Sequence, residues 1–297
     1  MSELWTQGVG FIGAGAVGSA MARAVHQLGY PVKAVTSKSG TSARQLAEQL
    51  PGCSAVESAQ QVTDGCDAVF IAVPDDAIKE VADGVRWRRK QDVVHCSGAA
   101  SVDLLAHARE AGANIGGFHP LQTFPRRGLA PQVFHGVTFG VQADGELLAE
   151  LRNLAVQLGG RALVLREQDR ALYHASAVLA CGAVAALANA ASGLWQTFST
   201  PQEKHAALSA LAPLLQGTVQ ALSMEGLPAA LTGPIARGDV GTVRRHVDAL
   251  RRDAPGVVAL YGMVGLAQIP IAIAKGTCSP QAAEQMERLF KTELARV

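Results

Sequence analysis

The feature that most constrains this chain is a glycine-rich turn near its N-terminus, Gly13-Ala14-Gly15-Ala16-Val17-Gly18. The turn follows an apolar run at residues 9–12 that predicts a buried strand. It opens a helical pattern from Val17 to Leu28, after which Gly29 is expected as the C′ residue. In such a strand–turn–helix unit, Gly13 permits the tight turn, Gly15 lets the backbone approach a pyrophosphate, and Gly18 lets the helix pack on the strand. The sequence therefore predicts a dinucleotide-binding unit with its phosphates at the helix N-terminus, against Ala16 and Val17. The alternative is an ordinary tight turn.

The first half of the chain alternates short apolar runs with helical patterns. Strands are predicted at 9–12, 32–35, 67–73, 92–95, 113–118, 137–141 and 161–165, and helices at 17–28, 41–50, 76–85, 102–111 and 146–158. The helix at 41–50 is expected to start with a Ser/Thr cap. Continuous apolar strands alternating with helices predict an α/β fold, a doubly wound parallel sheet with helices on both faces and right-handed crossovers.

The second half contains helical patterns only, at 167–195, 201–225, 240–252, 256–274 and 280–295. We therefore predict a dinucleotide-binding domain at 1–166 and an all-helical substrate and dimerisation domain at 167–297. The helix at 171–192 is rich in alanine and offers little polar surface on any side, so it is expected at the centre of the helical domain or in a homodimer contact.

Composition narrows the classes of partner. The net charge is +1 in 297 residues, and neither nucleic acid nor an anionic membrane is predicted to bind. The five cysteines lack a C-x-x-C pair and histidines at metal-site spacing, which favours reduced thiols, a cytoplasmic location and no metal. The N-terminus does not resemble a signal peptide. The apolar stretch at 257–274 is about long enough to span a bilayer, but Gln268 and Pro270 interrupt it, and we predict a buried helix.

The end of the second predicted strand favours NADP over NAD. An NAD site usually carries an acidic residue there to bind the ribose 2′-hydroxyl, whereas this chain has none from Leu4 to Ala47. It has Thr36-Ser37-Lys38-Ser39 instead, and Arg44 lies nearby. Hydroxyls and a cation suit a 2′-phosphate, which a carboxylate would repel. The alternative is a solvated loop with a lysine that has no ligand.

Ligands of doubly wound sheets lie beyond the carboxyl ends of the strands. One predicted strand ends in Val73-Pro74-Asp75. Residues 72–76 are therefore expected to touch the ribose or the pyrophosphate. Ser97 and Gly98 follow the next strand and are expected near the nicotinamide. For Ser97, a hydrogen bond to the carboxamide or the substrate competes with simple capping of the loop.

Two histidines are candidates for proton transfer, because imidazole titrates near neutral pH. His119 is expected just past a strand, behind Gly116 and Gly117, which would permit close approach of a ligand. His174 lies on the predicted helix at 167–195, which follows directly after the predicted domain boundary. A structural role at the domain interface is the alternative to a catalytic role. Tyr173 points about 100° away from His174 on this helix, so we do not expect the two to serve one site.

Arg237 lies in a predicted loop between two helices and is a candidate ligand for a substrate carboxylate. The alternative is a pair with Asp239, which also suits the N-cap of the next helix. Arg126 and Arg127 are interpreted as a solvated basic loop, with anion binding as the alternative.

Six motifs occur in an order that resembles a known family. They are GFIGAGAVG at 10–18, AVFIAVPDDAI at 68–78, HCSGAAS at 95–101, GFHPLQTF at 117–124, YHASAVLA at 173–180 and LTGPIARGDVGTVRRH at 231–246. The chain resembles the Rossmann-like oxidoreductases that carry a C-terminal helical domain of unassigned function. These are distant relatives of pyrroline-5-carboxylate, ketopantoate and β-hydroxyacid reductases.

The resemblance implies a Rossmann domain, a helical dimerisation domain and an active site between them. The chain departs from the family where an Asn commonly follows the YHA motif, since Gly182 stands at the matching position. It also lacks the lysine of β-hydroxyacid dehydrogenases. Two functions remain open at this stage. One is an NADP-dependent reductase of a small keto or imino acid, and the other is a non-catalytic NADP(H)-binding sensor or regulator.

Overall fold

The computed structural model describes residues 5–124 and 131–296. In this part of the chain, eight strands form one sheet in the order β3-β2-β1-β4-β5-β6-β7-β8. The strands are β1 (Val9–Ile12), β2 (Val32–Thr36), β3 (Ser54–Ala55), β4 (Ala68–Ile71), β5 (Asp92–His95), β6 (Asn114–Pro120), β7 (Thr138–Gln142) and β8 (Arg161–Val164). The strand order reverses between β1 and β4. This position is the topological switch point, beyond whose carboxyl strand ends doubly wound sheets bind their ligands.

The α/β class is confirmed, but the sheet is not wholly parallel. β7 pairs antiparallel with β6, while every other pair is parallel. A parallel return requires a crossover of a dozen or more residues, usually helical. The described part of the β6–β7 connection holds only a 3-10 turn, Pro131–Phe134.

The helices of the first half are α1 (Ala16–Gln27), α2 (Thr41–Ala47), α3 (Ala59–Gly65), α4 (Ile78–Asp83), α5 (Ala106–Glu110) and α6 (Gly145–Gln157). Gly29 has a φ of +90° beyond α1, as its predicted C′ role requires. The predicted Ser/Thr cap of α2 was wrong, because Gly40 occupies the N-cap position and has no side chain that could accept a bond from the first turn. The patterns did not predict β3 and α3, which are short.

The remaining helices are α7 (Arg170–Ala180), α8 (Gly182–Phe198), α9 (Pro201–Glu225), α10 (Val240–Asp253), α11 (Val258–Lys275) and α12 (Pro280–Leu294). The single helix predicted at 167–195 is divided at Cys181, whose φ of −117° lies outside the usual helical range. Asp239 is the N-cap of α10, because its carboxylate accepts a hydrogen bond from the Thr242 amide at 2.9 Å. This is one of the two roles predicted for Asp239, the other being a pair with Arg237. All five cysteines are free thiols.

The two faces of the sheet bury separate apolar clusters. One face carries a row of phenylalanines on β1, β4, β6 and β7, namely Phe11, Phe70, Phe118 and Phe139, with adjacent ring centroids 5.3, 6.4 and 4.6 Å apart. Each ring is fully buried, and burial of one such side chain contributes roughly 1.5–3 kcal/mol. This row therefore holds together the strands whose ends form the candidate site.

The described structure divides into two compact units, 1–181 and 182–297. The predicted boundary at 166/167 precedes α7, whereas the structure includes α7 in the first unit. The reason is that Arg170 and Tyr173 on α7 are buried against atoms of β5, β6 and β7. The sequence shows the change from strands to helices at 166, but it does not show where the first helix packs.

In the second unit, α10, α11 and α12 enclose a small core around Met286 and Phe290. One face of α11 is buried there, and a Cβ at Gly265 would lie 2.5 Å from the Phe290 ring. α8 packs along α9. By length and composition, two helical stretches of the described residues could cross a membrane, 167–198 and 255–275.

Candidate dinucleotide and catalytic site

The three glycines of the turn have three different environments. Gly13 has a φ of +108°, and a Cβ there would lie 2.3 Å from the carbonyl oxygen of Ala72. A Cβ at Gly18 would lie 2.1 Å from the carbonyl oxygen of Gly13. Gly15 is exposed, and a Cβ there would meet no atom within 4 Å. Gly13 and Gly18 therefore allow the turn and the helix to pack, while Gly15 leaves open space beside the backbone.

That open space faces the start of α1. Gly15 is the N-cap and provides no side-chain bond, and the first turn has no acidic residue. The amides of Ala16, Val17 and Gly18 have no acceptor inside the helix. Their N–H groups and the positive end of the helix dipole form an anion site. The residues present thus fit the pyrophosphate of a dinucleotide.

The end of β2 lies beside this turn, since the Gly13 amide donates to the Thr36 carbonyl at 2.9 Å. The Ser37 hydroxyl accepts a hydrogen bond from the Ala43 amide at 3.1 Å, so it orders the loop before α2. Lys38 and Ser39 are exposed. The Arg44 guanidinium lies over the same loop, 3.0 Å from the position of a Cβ on Gly40. The side chains of Lys38, Ser39 and Arg44 therefore lie in or over the loop that is predicted to bind the 2′-phosphate.

The end of β4 approaches the same turn from the other side. Gly13 packs against Ala72 and the Val73 amide, and Pro74 follows. Asp75 then begins a 3-10 turn and accepts a hydrogen bond from the Ser97 hydroxyl at 2.7 Å. Asp75 belongs to the stretch that is expected to touch the ribose or the pyrophosphate, and one of its carboxylate oxygens is bonded to Ser97. Its contact ties the end of β4 to the end of β5.

Ser97 is largely occupied within the loop after β5. Its hydroxyl also accepts from the Ala99 and Ala100 amides, at 3.2 and 2.9 Å. Of the two predicted roles, the geometry favours loop capping. Ser97 then acts by ordering the backbone where the nicotinamide is expected.

His119 is part of β6 rather than just past it. Its ring Nδ1 lies 2.9 Å from the hydroxyl of Tyr173 on α7. The opposite edge of the ring, with Cε1 and Nε2, lies 2.8 and 2.9 Å from the position of a Cβ on Gly98. His174 reaches the same point, with its Cδ2 at 2.8 Å from that position. Both imidazoles therefore point into the space that is open because Gly98 has no side chain.

The expectation that Tyr173 and His174 would not serve one site was wrong. The Tyr173 and His174 rings lie 5.5 and 6.0 Å from the His119 ring, both nearly perpendicular to it. Two adjacent helix positions differ by about 100° in direction, yet they can flank a third ring that points between them.

Arg170 was not predicted. It is 1% exposed, and its guanidinium donates to the Ser97 carbonyl at 2.6 Å and to Gln142 at 3.1 Å. Gln142 in turn donates to Glu167 at 2.9 Å. A Cβ at Gly117 would lie 2.9 Å from the guanidinium. Gly116 likewise contacts the chain itself, at the Gln142 carbonyl. The two glycines therefore accommodate protein atoms instead of a ligand, which corrects their predicted role.

Burial controls the titration of the two histidines on β5 and β6. Desolvation, with smaller effects from Arg170 and His119, lowers the pKa of His95 to about 3. Desolvation, with smaller contributions from His174 and Arg170, lowers the pKa of His119 to about 4. Burial raises the pKa of Tyr173 to about 12. Near pH 7 these three side chains are therefore neutral.

Arg237 lies in the second unit, in the loop between α9 and α10, and is exposed. Within the described residues it forms no ion pair, including with Asp239, whose carboxylate caps α10. Arg126 and Arg127 lie outside the described residues. No group of three or more potential metal ligands occurs within 5–124 and 131–296.

The fold defines the class of protein, a Rossmann-like protein. The family comparison agrees, because residues 5–120 match the Rossmann-like domain and residues 137–268 match a domain of unknown function, DUF2520. This confirms the resemblance that the motifs indicated, a Rossmann-like domain joined to a domain of unassigned function. No curated protein sequence matches the chain.

Solved structures show the same fold. Protein BF3122 from Bacteroides fragilis is 22% identical, with a TM-score of 0.70 over 89% of this chain and 99% of that one. A reductive aminase from Aspergillus terreus, in complex with NADPH and ethyl levulinate, is 16% identical, with a TM-score of 0.63 over 95% and 99%. A 1-pyrroline-5-carboxylate reductase from Streptococcus pyogenes is 17% identical, with a TM-score of 0.57 over 99% and 100%.

Proposed function

We propose that this chain is an NADP-dependent oxidoreductase that reduces a small keto or imino acid. One observation carries the proposal. The glycine turn, the end of β4 and the end of β5 meet at one edge of the sheet, and His119 on β6 reaches that edge with its ring bonded to Tyr173. A phosphate cradle alone would indicate binding, whereas a positioned imidazole beside it adds a group that can transfer a proton.

The chain's own residues account for cofactor binding. The amides of Ala16, Val17 and Gly18 hold the pyrophosphate, and Val73 and Pro74 line the ribose. Thr36–Ser39, with Lys38 as the charged member, holds the 2′-phosphate. When bound, the reduced nicotinamide supplies a hydride to the substrate.

The remaining side chains arrange the reacting end. Ser97, held by Asp75, orders the loop on which the nicotinamide ring rests. His119 donates the proton that the reduced substrate requires, and His174 borders the same space. Arg237 of the helical unit binds the substrate carboxylate as a bidentate cation. The departure at Gly182 fits a substrate that differs from those of relatives with Asn there.

Structural relatives support the chemistry. The reductive aminase was solved with NADPH and ethyl levulinate, and 1-pyrroline-5-carboxylate reductase acts on an imino acid by its name. Both share the fold across nearly the whole chain. Proteins with this fold therefore include one that was solved with NADPH and a small carbonyl compound, and one that is named for the reduction of an imino acid.

We also propose a cytoplasmic homodimer that binds neither nucleic acid nor membranes, with the helical region from residue 167 serving substrate binding and dimerisation. Apolar side chains on α7 are exposed, with Leu172 at 77% and Leu179 at 70%, and no residue of α8 is buried. Contact with a second copy would cover these surfaces. Sedimentation velocity at micromolar concentration should give a dimer, and a monomer would contradict this part of the proposal.

The direct test follows the absorbance of NADPH at 340 nm with a panel of 2-oxo acids and cyclic imines. The wild type should oxidise NADPH with at least one of them. His119→Ala should lower turnover by about 10²-fold or more, the lower range for a general acid, with little change in NADPH affinity. His107→Ala, a change at an exposed histidine of α5, is the matched control. Tight NADPH binding without any turnover would favour a sensor, and unchanged activity of His119→Ala would remove His119 from the mechanism.

A further inference from the structure

The proposed function assigns no role to Tyr173, although its hydroxyl is hydrogen-bonded to the ring of His119. Tyr173 is 8% exposed, and its ring occupies a space that exists only because residue 140 is glycine. A Cβ at Gly140 would lie 2.8 Å from the phenol oxygen and from its ring carbon Cζ. The hydroxyl is therefore held in place on β7 and directed at His119.

The phenol hydroxyl has one proton and two acceptors within reach. The His119 Nδ1 lies at 2.9 Å, and the His119 backbone carbonyl lies at 3.4 Å. The shorter contact is the stronger one. Donation to Nδ1 makes that nitrogen an acceptor, and a neutral imidazole then carries its single proton on Nε2. Nε2 is the nitrogen beside Gly98, on the side away from Tyr173.

The charged and titratable groups around His119 oppose its protonation overall. His174 and Arg170 on α7 lower its pKa, Asp75 after β4 raises it, and burial has the largest effect and lowers it. Within the described residues, Arg170 forms no ion pair, so its charge is not cancelled by a carboxylate in contact. The ring is thus a neutral donor near pH 7, and its tautomer decides which nitrogen can donate.

We propose that Tyr173 is a positioning residue that holds His119 as the Nε2–H tautomer, and that this donor selects a carbonyl substrate over an imine. The inference rests on the proposed reductase function. Reduction of a carbonyl transfers a hydride to carbon from the reduced nicotinamide, and the electron pair of the C=O π bond moves to oxygen. The alkoxide takes the Nε2 proton of His119 while Nδ1 takes the hydroxyl proton of Tyr173. Once the product leaves, Nε2 takes a proton from solvent and Nδ1 returns its proton to the Tyr173 phenolate, which restores the Nε2–H tautomer.

The substrate preference follows from the strength of the base. An alkoxide is basic enough to take a proton from a neutral imidazole. An imine is reduced as its protonated cation, so it needs a more acidic donor before reduction. A neutral imidazole does not serve that step, and the buried cation of Arg170 disfavours a second positive charge. The Arg170 charge also lowers the pKa of Tyr173, although burial raises it overall, so it stabilises the transient phenolate.

The tautomer can be measured without substrate. We would record long-range ¹H–¹⁵N correlation spectra of the full chain labelled with ¹⁵N-histidine, at pH 7, and assign His119 by its loss in His119→Asn. The expected pattern has one protonated and one unprotonated nitrogen, with the proton on Nε2. Tyr173→Phe keeps the ring in its space and should increase the Nδ1–H form several-fold. A cationic ring, a dominant Nδ1–H form in the wild type, or an unchanged tautomer in Tyr173→Phe would overturn the proposal.

The chain provides a matched control. Tyr261 on α11 contacts the Nδ1 of His246 on α10 at 2.9 Å, the same geometry in the other unit. Tyr261→Phe should change the His246 resonances and leave those of His119 unaltered. If both variants change His119 equally, the effect is a general one and the proposed positioning is wrong.

Turnover provides the second readout. With NADPH, the wild type should prefer 2-oxo acids to 1-pyrroline-type imines, and Tyr173→Phe should lower kcat about tenfold with KM within about twofold, a share of what a general acid contributes. A preference for imines would overturn the substrate class. Absence of turnover with every compound would count against the proposed function, while the spectra would still decide the tautomer.

Discussion

Gly15→Ala should separate cofactor binding from folding, because Gly15 is the glycine of the turn whose role lies outside the chain itself. Its backbone has φ −75° and ψ −168°, a conformation that alanine adopts freely. A methyl group there would meet no protein atom within 4 Å. It would instead occupy the open space beside the first amides of α1, where the pyrophosphate is expected.

The expected effect on stability is small because two terms oppose each other. Alanine is a poorer N-cap than glycine, which costs roughly 0.5–1 kcal/mol. Replacing glycine restricts the unfolded chain, which contributes about 0.4–1 kcal/mol of stability. The free energy of unfolding should therefore stay within about 0.5 kcal/mol of wild type. A methyl group in the phosphate contact should cost about 1–3 kcal/mol of binding, by analogy with overpacking, which raises the Kd for NADPH roughly 5- to 150-fold.

Urea unfolding followed by circular dichroism would measure the first quantity, and isothermal titration with NADPH the second. Gly65→Ala is the matched control, since a Cβ at this helical glycine also meets nothing within 4 Å. Gly18→Ala is the contrast, because a Cβ there would lie 2.1 Å from the Gly13 carbonyl oxygen, and it should destabilise the fold by about 1–3 kcal/mol or more. Unchanged NADPH affinity in Gly15→Ala, or a loss of stability comparable with Gly18→Ala, would refute the assignment of the cradle.

Three further predictions concern the cofactor, pH and the space between the imidazoles. Lys38→Ala should weaken NADPH binding about tenfold more than NADH binding, and an equal loss for both in parallel titrations would remove Lys38 from the 2′-phosphate site. Because the pKa values of His95 and His119 lie at about 3 and about 4, the folded state binds fewer protons than the unfolded state below about pH 6.5. Stability should therefore fall as pH drops from about 6.5 to 5, by up to about 2 kcal/mol for each histidine. Urea unfolding of His95→Asn should show roughly half of this loss, and a flat wild-type profile would contradict it. Gly98→Ala, whose Cβ would lie 2.8 Å from both imidazoles, should shift the resonances of His119 and His174 and lower turnover while NADPH affinity holds, and unaltered resonances would show that the rings lie elsewhere.

The cofactor half of the site could be predicted from the sequence because its chemistry is in the backbone. Glycine spacing, an apolar strand before it and a helical pattern after it fix where the amides of α1 point. The absence of carboxylates near Thr36–Ser39 is likewise visible without a structure. The direction of these backbone amides depends little on which distant side chains pack nearby. The local sequence pattern is therefore sufficient to predict it.

The catalytic half could be predicted only in part, since it depends on contacts between distant segments. His119 was found by its place at a strand end, but its partner Tyr173 is 54 residues away, and no periodicity links the two. The sequence does not single out Arg170, because its burial follows from how α7 packs on the sheet. The predicted boundary at 166/167 differs from the division at 181/182 for the same reason. The switch from strands to helices is local, whereas the docking of α7 is not.

One signal for this docking was nevertheless present in the sequence, in glycines outside the turn. Gly98, Gly117 and Gly140 each leave room for a side chain of α7, respectively His174, Arg170 and Tyr173. Those three side chains stand at positions i, i+3 and i+4, which lie on one face of a helix. α7 therefore approaches the sheet closely at the three positions where a glycine has no side chain in the way. Glycines within a strand or in the loop after it that lack a positive φ indicate close packing by another element. Here that element carries the tyrosine and the histidine on either side of His119. The sheet thus carries two sets of glycines, one that shapes the candidate dinucleotide turn and one that provides the docking surface for α7.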